Sequence, residues 1–347
     1  MPPSLAPAVA FAVATATVYL LSHPRWGPGV LDHPNERSLH ARPVPRTGGL
    51  GIAAGALAGG LVSVAAAGGG PVLGWILPCA GGVAAVSFVD DLRPLSPAVR
   101  LIVQLLASLG LVAAGLSPPA LDLPGLSWAW PAWLGVGVAV LATIWMTNLY
   151  NFMDGMDGFA GGMAVFGFGT LAALGYLGGD AAFAGANVVV ACAATGFLLF
   201  NFPPARIFMG DVGSSTLGFL AAAFSLWGSR EGLFPLWVAG LVFAPFVVDA
   251  TVTLARRALA GERLWQAHRS HYYQRLVRLG WGHRRTVLAE YALMLGSAVS
   301  AVVVVRVGPS VQGLLLAGWA SVYALLALGV HRLEVGAGAN RPSEGAP

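Results

Sequence analysis

Apolar stretches of about twenty residues follow one another along almost the whole chain, and a helix of that length crosses the hydrocarbon core of a bilayer. Only 10% of the 347 residues are charged, whereas a soluble domain carries about 25%. The sequence therefore predicts an all-α, polytopic integral membrane protein with about 10–11 transmembrane helices. The predicted spans are 4–22, 48–67, 72–89, 98–116, 132–149, 159–178, 184–201, 212–228, 235–255, 286–305 and 310–330.

The chain is expected to form a single transmembrane domain over residues 1–333, because no polar segment is long enough to fold alone. The segment 334–347 is rich in Gly, Pro and Ser and cannot bury a core, so it is predicted to be a disordered cytoplasmic tail.

The arginines set the orientation in the membrane. All 19 basic residues are Arg, and 17 of them fall in the loops and helix ends of one face if the amino terminus lies outside the cytoplasm. Cytoplasmic loops carry such an excess of positive charge. Every unusual polar motif falls on this same side, whereas a transporter concentrates polar groups at the membrane midplane. The pattern favours a site at the cytoplasmic face.

The stretch 147–162, TNLYNFMDGMDGFAGG, carries the most informative motif. Asn148, Asn151, Asp154 and Asp157 follow each other at intervals of three, a spacing that keeps side chains on one side of a tight 3₁₀ turn. Amide and carboxylate oxygens without Cys or His are ligands suited to Mg²⁺. The alternative is a solvated turn between two membrane helices, which needs fewer oxygen-bearing side chains.

A second motif, FVDDLRPLSPAVRLIVQ, joins two predicted helices. Asp90 and Asp91 end the first helix, and adjacent carboxylates there are costly unless a cation or proton is near. Ser96 and Pro97 fit the cap and first position of the next helix, whose first turns carry Arg100. We expect the pair to face an anion held by this helix start and Arg100.

The third motif, FNFPPARIFMGDVGSSTLGF, places Asp211 where another helix begins. A helix amino terminus with small residues binds anions, and a carboxylate beside it can hold a metal that bridges to phosphate. An ordinary capping Asp is the alternative.

Two basic loops complete the pattern. The first, 31–51, carries Arg37, Arg42 and Arg46 and is either a membrane anchor or a lid over an anionic nucleotide. The second, 256–285, contains HRSHYYQRL, whose His spacing does not match a zinc site. It reads either as part of the site or as an amphipathic anchor on anionic lipid. Asp249, just before this loop, is expected to pair with an Arg.

Together these motifs resemble the polyprenyl-phosphate N-acetylhexosamine-1-phosphate transferases, the MraY- and WecA-like membrane enzymes. The resemblance rests on DDLRPLSPAVRLIVQ, NLYNFMDGMDGFAGG and FPPARIFMGDVGSSTLGF, in that order and at these helix ends. The segment HRSHYYQRL is more similar to the branch that starts O-antigen and other surface polysaccharides than to the peptidoglycan branch. One departure is Pro94, where some relatives carry a polar residue.

The resemblance implies a role for each matching residue. The catalytic positions are Asp90, Asp91, Asp154, His268, Arg269 and His271, the last three from a loop that closes over phosphates and sugar. The metal positions are Asp211 and Asn151. The substrate-binding positions are Arg100 at the diphosphate, Asp157 near the uracil, and, on the motif readings above, Asn148 and Arg46.

The implied reaction transfers an N-acetylhexosamine-1-phosphate, or a deoxy analogue, from a UDP-sugar to undecaprenyl phosphate and releases UMP. It implies Mg²⁺, with Mn²⁺ as a substitute, and partners that are membrane lipid and an optional second copy in a homodimer, with no nucleic acid. It places a multi-pass protein in the bacterial plasma membrane with its active site facing the cytoplasm. The alternatives are a phospho-MurNAc-pentapeptide transferase and, in a different class, a flippase for lipid-linked sugars.

Overall fold

The fold is built almost entirely from helices that lie against one another. A computed structural model describes residues 5–23, 30–34, 39, 42–67, 71–263 and 268–339. The helices are α1 (Leu5–Ser22), α2 (Gly48–Ala67), α3 (Pro71–Leu92), α4 (Pro97–Ala113), α5 (Ala132–Phe152), α6 (Phe159–Gly178), α7 (Ala181–Asn201), α8 (Gly210–Arg230), α9 (Leu236–Val242), α10 (Ala244–Leu259), α11 (Tyr272–Leu276), α12 (Gly282–Val304) and α13 (Pro309–Ala339).

Within the described residues, eight helices are long and apolar enough to cross a membrane, or nine if the bent pair α9–α10 counts as one span. The prediction of an all-α polytopic membrane protein is confirmed. Helix α4 is also apolar but has 17 residues, so it falls just short of that length.

Helix α8 lies at the centre of the bundle, and every residue from 212 to 228 is buried. It packs against α2, α3 and α5. A side chain at Gly49 of α2 would strike the backbone of Gly213, and one at Gly218 would lie 2.6 Å from the carbonyl oxygen of Met146 in α5. Small residues thus allow the close helix packing that membrane proteins use, and α8 holds its first turn against three neighbours.

The predicted continuous span 235–255 is wrong, because the chain bends by 87° between α9 and α10. Phe243 stands at the break, and Pro245 falls in the first turn of α10. Proline lacks a backbone N–H and is favoured in the first turn of a helix, so its position agrees with where the helix divides. Helix α10 therefore leaves the direction of α9 and carries Asp249 toward the loop that follows.

Four short strands interrupt the helices. β1 (Leu31–Asp32) pairs antiparallel with β2 (Val44–Pro45) in the first basic loop. β3 (Ala120–Leu123) and β4 (Leu126–Ala129) form a hairpin between α4 and α5. The pairing of β1 with β2 fixes the two ends of the first loop, which the sequence motif alone left without a conformation.

Helix α13 continues to Ala339, beyond residue 333, where the tail was predicted to begin. Glu334 lies in this helix, and its carboxylate accepts two hydrogen bonds from the Arg275 guanidinium, 2.7 and 2.5 Å long. Residues 334–339 are therefore helical rather than disordered, because a two-point ion pair ties them to α11. Residues 340–347 lie outside the described part of the chain.

Candidate functional site

The amino terminus of α8 is held by a carboxylate from another helix. Asp91, buried in the last turn of α3, accepts a hydrogen bond from the Asp211 N–H at 3.1 Å and one from the Val212 N–H at 3.0 Å. The first N–H groups of a helix have no partner within the helix and attract negative charge. Asp91 therefore caps α8 from outside and fixes the backbone that carries Asp211.

Its neighbour Asp90 takes a different direction. Leu95 N–H donates to one carboxylate oxygen at 2.6 Å, and Arg100 donates to the other at 3.1 Å. The same Arg100 nitrogen lies 3.8 Å from the Asp211 carboxylate. The predicted start of this helix is confirmed, with Ser96 as cap and Pro97 at its first position. Arg100 thus stands between two carboxylates at the edge of the site.

The motif at 147–162 divides into a helical and a turn part. Asn148 and Asn151 lie in the last turns of α5, and Asp154 and Asp157 lie in the turn before α6. Asn151, Asp154 and Asp157 line one cavity. Asn148 instead donates to the Gln104 side chain at 2.7 Å, and it lines a small adjoining cavity of about 20 Å³ with Asn151 and Arg100. Of the four residues predicted to lie on one side of the turn, three therefore line the same cavity, and Asn148 does not.

Asp157 connects three segments of the chain. One of its carboxylate oxygens lies 3.0 Å from His283 Nδ1 in α12, and the other accepts the Ala205 N–H at 3.0 Å. The second ring nitrogen of His283 lies 3.1 Å from the carbonyl oxygen of Leu39 in the first loop. Asn201 accepts the Gly158 N–H at 2.9 Å beside this group. The turn after α5 is thereby locked to α7, α12 and the first loop.

These side chains surround a cavity of about 280 Å³. Its lining brings together five carboxylates from four segments of the chain: Asp32, Asp91, Asp154, Asp157 and Asp211. It also includes Arg46, Asn151, Asn201, Gln274 and His283. Arg46 donates to the carbonyl oxygen of Asp91, and its Nε is buried without a partner. The cavity therefore combines concentrated negative charge with a few placed donors.

Asp154 lies where burial and the neighbouring carboxylates oppose its negative charge. Burial, followed by the charges of Asp211, Asp91 and Asp157, raises the pKa of Asp154 well above its ordinary value. Among the described residues, none donates a hydrogen bond to its carboxylate. A bound divalent cation would relieve this repulsion and displace the proton.

The oxygen donors in the cavity fit Mg²⁺. Asp211, Asn151 and Asp154 supply carboxylate and amide oxygens, the ligand type that this ion prefers. The part of the chain that the structure describes contains no group of three or more His, Cys, Asp or Glu side chains placed to hold a metal. Mg²⁺ sites commonly use one or two carboxylates and complete the shell with water and substrate phosphates, so a two-carboxylate set agrees with that habit.

The last basic loop is arranged differently from the expectation. His271 is buried and lies 3.3 Å from the Asp249 carboxylate, and its ring centre is 4.8 Å from that of His268. Arg269 has no hydrogen bond or ion pair with another described residue. None of these three residues lines the cavity. Their roles toward phosphate and sugar stay predictions, and from this loop it is Gln274 and His283 that reach the cavity.

The expectation that Asp249 pairs with an Arg is wrong. Its carboxylate accepts the N–H groups of Tyr272 at 3.0 Å and Tyr273 at 3.2 Å, and the Thr253 hydroxyl at 3.0 Å. The free N–H groups at the start of α11 are strong donors placed directly over α10, so they take the carboxylate. Asp249 is a positioning residue for the last loop.

His283, Gln274 and Asn201 were not selected from the sequence. His283 follows two glycines with positive φ, Gly280 at 93° and Gly282 at 69°, in the segment GWGHRR. Such a Gly-x-Gly pair marks a backbone turn that aims the next side chain, and that signal was available. Gln274 and Asn201 have no comparable local signal, since both are polar residues near helix ends.

Comparison with known proteins agrees with these motifs. The family model for glycosyl transferase family 4 matches residues 73–229. The chain is 32% identical over 282 residues to a "Probable undecaprenyl-phosphate N-acetylglucosaminyl 1-phosphate transferase" of Bacillus subtilis (strain 168), covering 79% of this chain and 77% of the relative.

Two further relatives show how far the similarity extends. The chain is 33% identical over 305 residues to the decaprenyl-phosphate N-acetylglucosaminephosphotransferase of Mycolicibacterium smegmatis, covering 76% of this chain and 72% of the relative. It is 34% identical over 177 residues to the phospho-N-acetylmuramoyl-pentapeptide-transferase of Geobacillus thermodenitrificans, covering 51% of this chain and 53% of that protein.

Proposed function

The chain belongs to glycosyl transferase family 4, and from that premise we propose that it transfers an N-acetylhexosamine-1-phosphate, or a deoxy analogue, from a UDP-sugar to undecaprenyl phosphate. The products are the lipid diphosphate sugar and UMP. The names of the relatives that match three quarters of this chain support a polyprenyl-phosphate acceptor and an N-acetylglucosamine donor.

One observation carries the proposal: five carboxylates and Arg46 line the same cavity, and Arg100 stands at its edge between Asp90 and Asp211. The reaction brings two anions together, the diphosphate of the donor and the phosphate of the lipid. Its main requirements are neutralisation of charge and alignment of the reacting groups. A cavity lined by oxygen atoms that can bind a metal ion, with guanidinium groups beside them, can both neutralise the charges and align the reacting groups.

Mg²⁺ is part of the proposal, with Mn²⁺ as a substitute, held by Asp211 and Asn151 with Asp154 beside them. When bound, the ion supplies positive charge to the diphosphate. Asp91 fixes Asp211 through the cap of α8. Arg46 and Arg100 are placed to offer guanidinium groups to phosphate oxygens, which a planar fork binds well.

The chemical step needs little acid–base help. An oxygen of the lipid phosphate attacks the phosphorus that carries the sugar, the bond from this phosphorus to the bridging oxygen breaks, and UMP leaves with that oxygen. The second pKa of a phosphate monoester is about 6, so the lipid phosphate is largely dianionic at neutral pH. Its attacking oxygen therefore needs no base to remove a proton. Asp90 is already bonded to Leu95 and Arg100, which favours an orienting role for it.

The site is proposed to face the cytoplasm of a bacterial plasma membrane, and the arginine distribution supports this orientation. The charged groups stand where helices end or begin: Asp91 in the last turn of α3, Asp154 after α5 and Asp211 in the first turn of α8. A flippase for lipid-linked sugars would need such groups along a path through the bilayer. The alternative peptidoglycan transferase is supported less, since that relative matches about half of the chain.

The test is turnover by the purified protein with undecaprenyl phosphate, Mg²⁺ and a panel of donors. The panel comprises UDP-GlcNAc, UDP-GalNAc, UDP-FucNAc, UDP-QuiNAc and UDP-MurNAc-pentapeptide, and the readout is release of UMP. We expect turnover with at least one N-acetylhexosamine donor and none with Asp211→Asn. Turnover with the pentapeptide donor alone would establish the alternative transferase. The absence of UMP release with every donor, together with transport of a labelled lipid-linked sugar across vesicles, would establish the flippase.

A further inference from the structure

The short helix α11 is clamped at both ends. At its start, the Asp249 carboxylate accepts the N–H groups of Tyr272 and Tyr273. At its end, Arg275 forms a two-point ion pair with Glu334 of α13. Side chains on such a fixed element keep one orientation without a substrate, and this rigidity is what recognition of a small group requires.

Gln274 is the residue of α11 that lines the cavity, and 8% of it is exposed. Its Nε2 atom lies over the turn that carries Asp154, since a Cβ added at Gly155 would be 3.4 Å from that nitrogen. The same added atom would strike the Tyr273 hydroxyl, which donates to the Phe152 carbonyl oxygen at 3.2 Å. α11 therefore packs directly on the turn after α5, with Gln274 beside the proposed metal residues.

The backbone decides which way the Gln274 amide points. The N–H of His271 lies 3.3 Å from its Oε1 atom, and a backbone N–H can only donate. The carbonyl end of the amide must therefore face His271, and the NH₂ end must face the other way. The Nε2 end lies toward Gly155, which also lines the cavity, so Gln274 presents its donor end to the cavity.

Two other polar side chains at the cavity, those of His283 and Asn201, already make hydrogen bonds within the protein. Both ring nitrogens of His283 lie against oxygens of Asp157 and Leu39. The Asn201 amide donates to the Ile207 carbonyl oxygen at 2.8 Å. The Gln274 amide is neutral, so it adds little to the overall attraction of an anionic substrate. It instead favours substrates that place an acceptor oxygen at the right position.

We propose that Gln274 binds an acceptor oxygen of the sugar-1-phosphate half of the donor substrate, either a phosphoryl oxygen or the acetamido carbonyl oxygen. The proposal rests on the proposed function. It moves substrate selection in the last loop from His271, which is buried against Asp249, to a residue that lines the cavity. Both candidate oxygens are acceptors only, which matches the donor that the fixed amide presents.

The test measures equilibrium binding of UMP, UDP and UDP-GlcNAc to wild type, Gln274→Glu and Gln274→Met. Gln274→Glu keeps the oxygen that accepts the His271 N–H but turns the donor into an anionic acceptor. We expect it to weaken UDP-GlcNAc binding about tenfold or more, a change of about 1.4 kcal/mol. Gln274→Met, which removes the donor without adding charge, should weaken binding by about five- to tenfold.

The three ligands separate the two sources of the acceptor oxygen. Equal weakening for UDP and UDP-GlcNAc, with UMP unchanged, identifies the phosphoryl oxygen next to the sugar. Weakening for UDP-GlcNAc alone identifies the acetamido oxygen. Equal weakening for UMP would place Gln274 at the uridine half and overturn the proposal, as would unchanged binding of all three ligands.

Two further measurements exclude a general disturbance of the loop. Tyr273→Phe removes the neighbouring hydroxyl and keeps Gln274, so UDP-GlcNAc affinity should stay within about twofold of wild type. Lowering the pH should recover affinity for Gln274→Glu relative to wild type, because a protonated carboxyl donates, whereas Gln274→Met should recover none. A wild type that binds no uridine nucleotide would overturn the proposed function and this proposal together; normal wild-type binding with unaffected variants would overturn the role of Gln274 alone.

Discussion

Asp91 and Asp211, 120 residues apart in the chain, are joined by a hydrogen bond from the backbone N–H of Asp211 to the carboxylate of Asp91. The Asp91 carboxylate is therefore hydrogen-bonded without substrate: from the end of α3 it caps the first N–H groups of α8. Two acidic residues that look alike in sequence thus divide the work, Asp91 holding the backbone and Asp211 presenting oxygens to the cavity.

Replacing Asp91 tests this division. Asp91→Ala leaves two N–H groups of α8 without a partner and should lower the unfolding free energy by about 0.5–2 kcal/mol. It should also raise the Mg²⁺ concentration needed for half-maximal activity, because Asp211 loses its fixed backbone. Asp91→Asn, which keeps one acceptor oxygen, should fall between wild type and Asp91→Ala. Thermal unfolding and Mg²⁺ titration measure both effects; an unchanged Mg²⁺ requirement in Asp91→Ala would show that the cap does not position Asp211.

Removal of the proposed metal residues should abolish turnover. Asp211→Asn removes the negative charge of one proposed ligand, and Asn151→Ala removes the other ligand. Wild type should be inactive in excess EDTA and recover when Mg²⁺ is restored. Asp122→Asn is a matched control, since Asp122 lies in the β3–β4 hairpin, where it accepts from Ser127. The control should keep full activity. Undiminished turnover by wild type without any divalent ion would contradict the metal assignment.

The raised pKa of Asp154 predicts how metal affinity depends on pH. Without metal, its carboxyl holds a proton to a higher pH than an ordinary Asp, because burial and three neighbouring carboxylates oppose its charge. Bound Mg²⁺ must displace that proton, so apparent affinity should rise with pH and fall as pH drops through the raised pKa. Calorimetric titrations in buffers of different ionisation heat should reveal proton release. In Asp154→Asn that release should shrink; an identical pH dependence would exclude Asp154 as its source.

His268 predicts a loss of stability in acid. Burial, followed by the charges of His271 and Arg257, lowers the pKa of His268 to about 4, against about 6.5 in an unfolded chain. Between those values the unfolded state binds more protons, so this contribution to stability is present above pH about 6.5 and is lost as pH falls toward about 4. Unfolding temperatures measured across this range should decline less steeply in His268→Gln. Parallel curves for the two proteins would refute the lowered pKa.

His283 should act on substrate binding through Asp157. His283→Ala removes the contacts to Asp157 and Leu39, and if Asp157 lies near the uracil the KM for the UDP-sugar should rise more than kcat falls. His283→Gln, which keeps one donor, should restore part of the loss. Steady-state kinetics with both variants decide the point; a fall in kcat at constant KM would assign His283 to the chemical step instead.

The sequence was sufficient for most of the membrane spans, because length and apolar character decide them locally. It missed the break at Phe243, since Pro245 inside an apolar run signals either a kink or a helix start. It also grouped Asp90 with Asp91, although one binds Arg100 and the other caps α8. Neighbours in sequence point in different directions on a helix, and only the packing of α3 against α4 and α8 separates them.

Residues that depend on a distant partner were beyond local patterns. The sequence predicts an Arg partner for Asp249, whereas its carboxylate accepts hydrogen bonds from the N–H groups at the start of α11. The sequence does not predict a role for Gln274, because a single polar residue in a basic loop forms no spaced motif with its neighbours. The sequence does single out Asn151, Asp154, Asp157 and Asp211, which line one cavity, because their side chains all carry oxygen atoms at helix ends. The metal itself stays a prediction.

The contact between Leu39 and His283 joins residues 244 positions apart. At about 5–20 residues per second, a ribosome takes roughly 12–50 s to travel between them. For that interval the first loop has already left the ribosome while the helix that will fasten it does not yet exist. The wall formed by Asp32, Leu39 and Arg46 is therefore among the last parts of the cavity to close. A nascent chain that stalls before α12 carries every carboxylate of the cavity but lacks His283, the residue that fastens this wall.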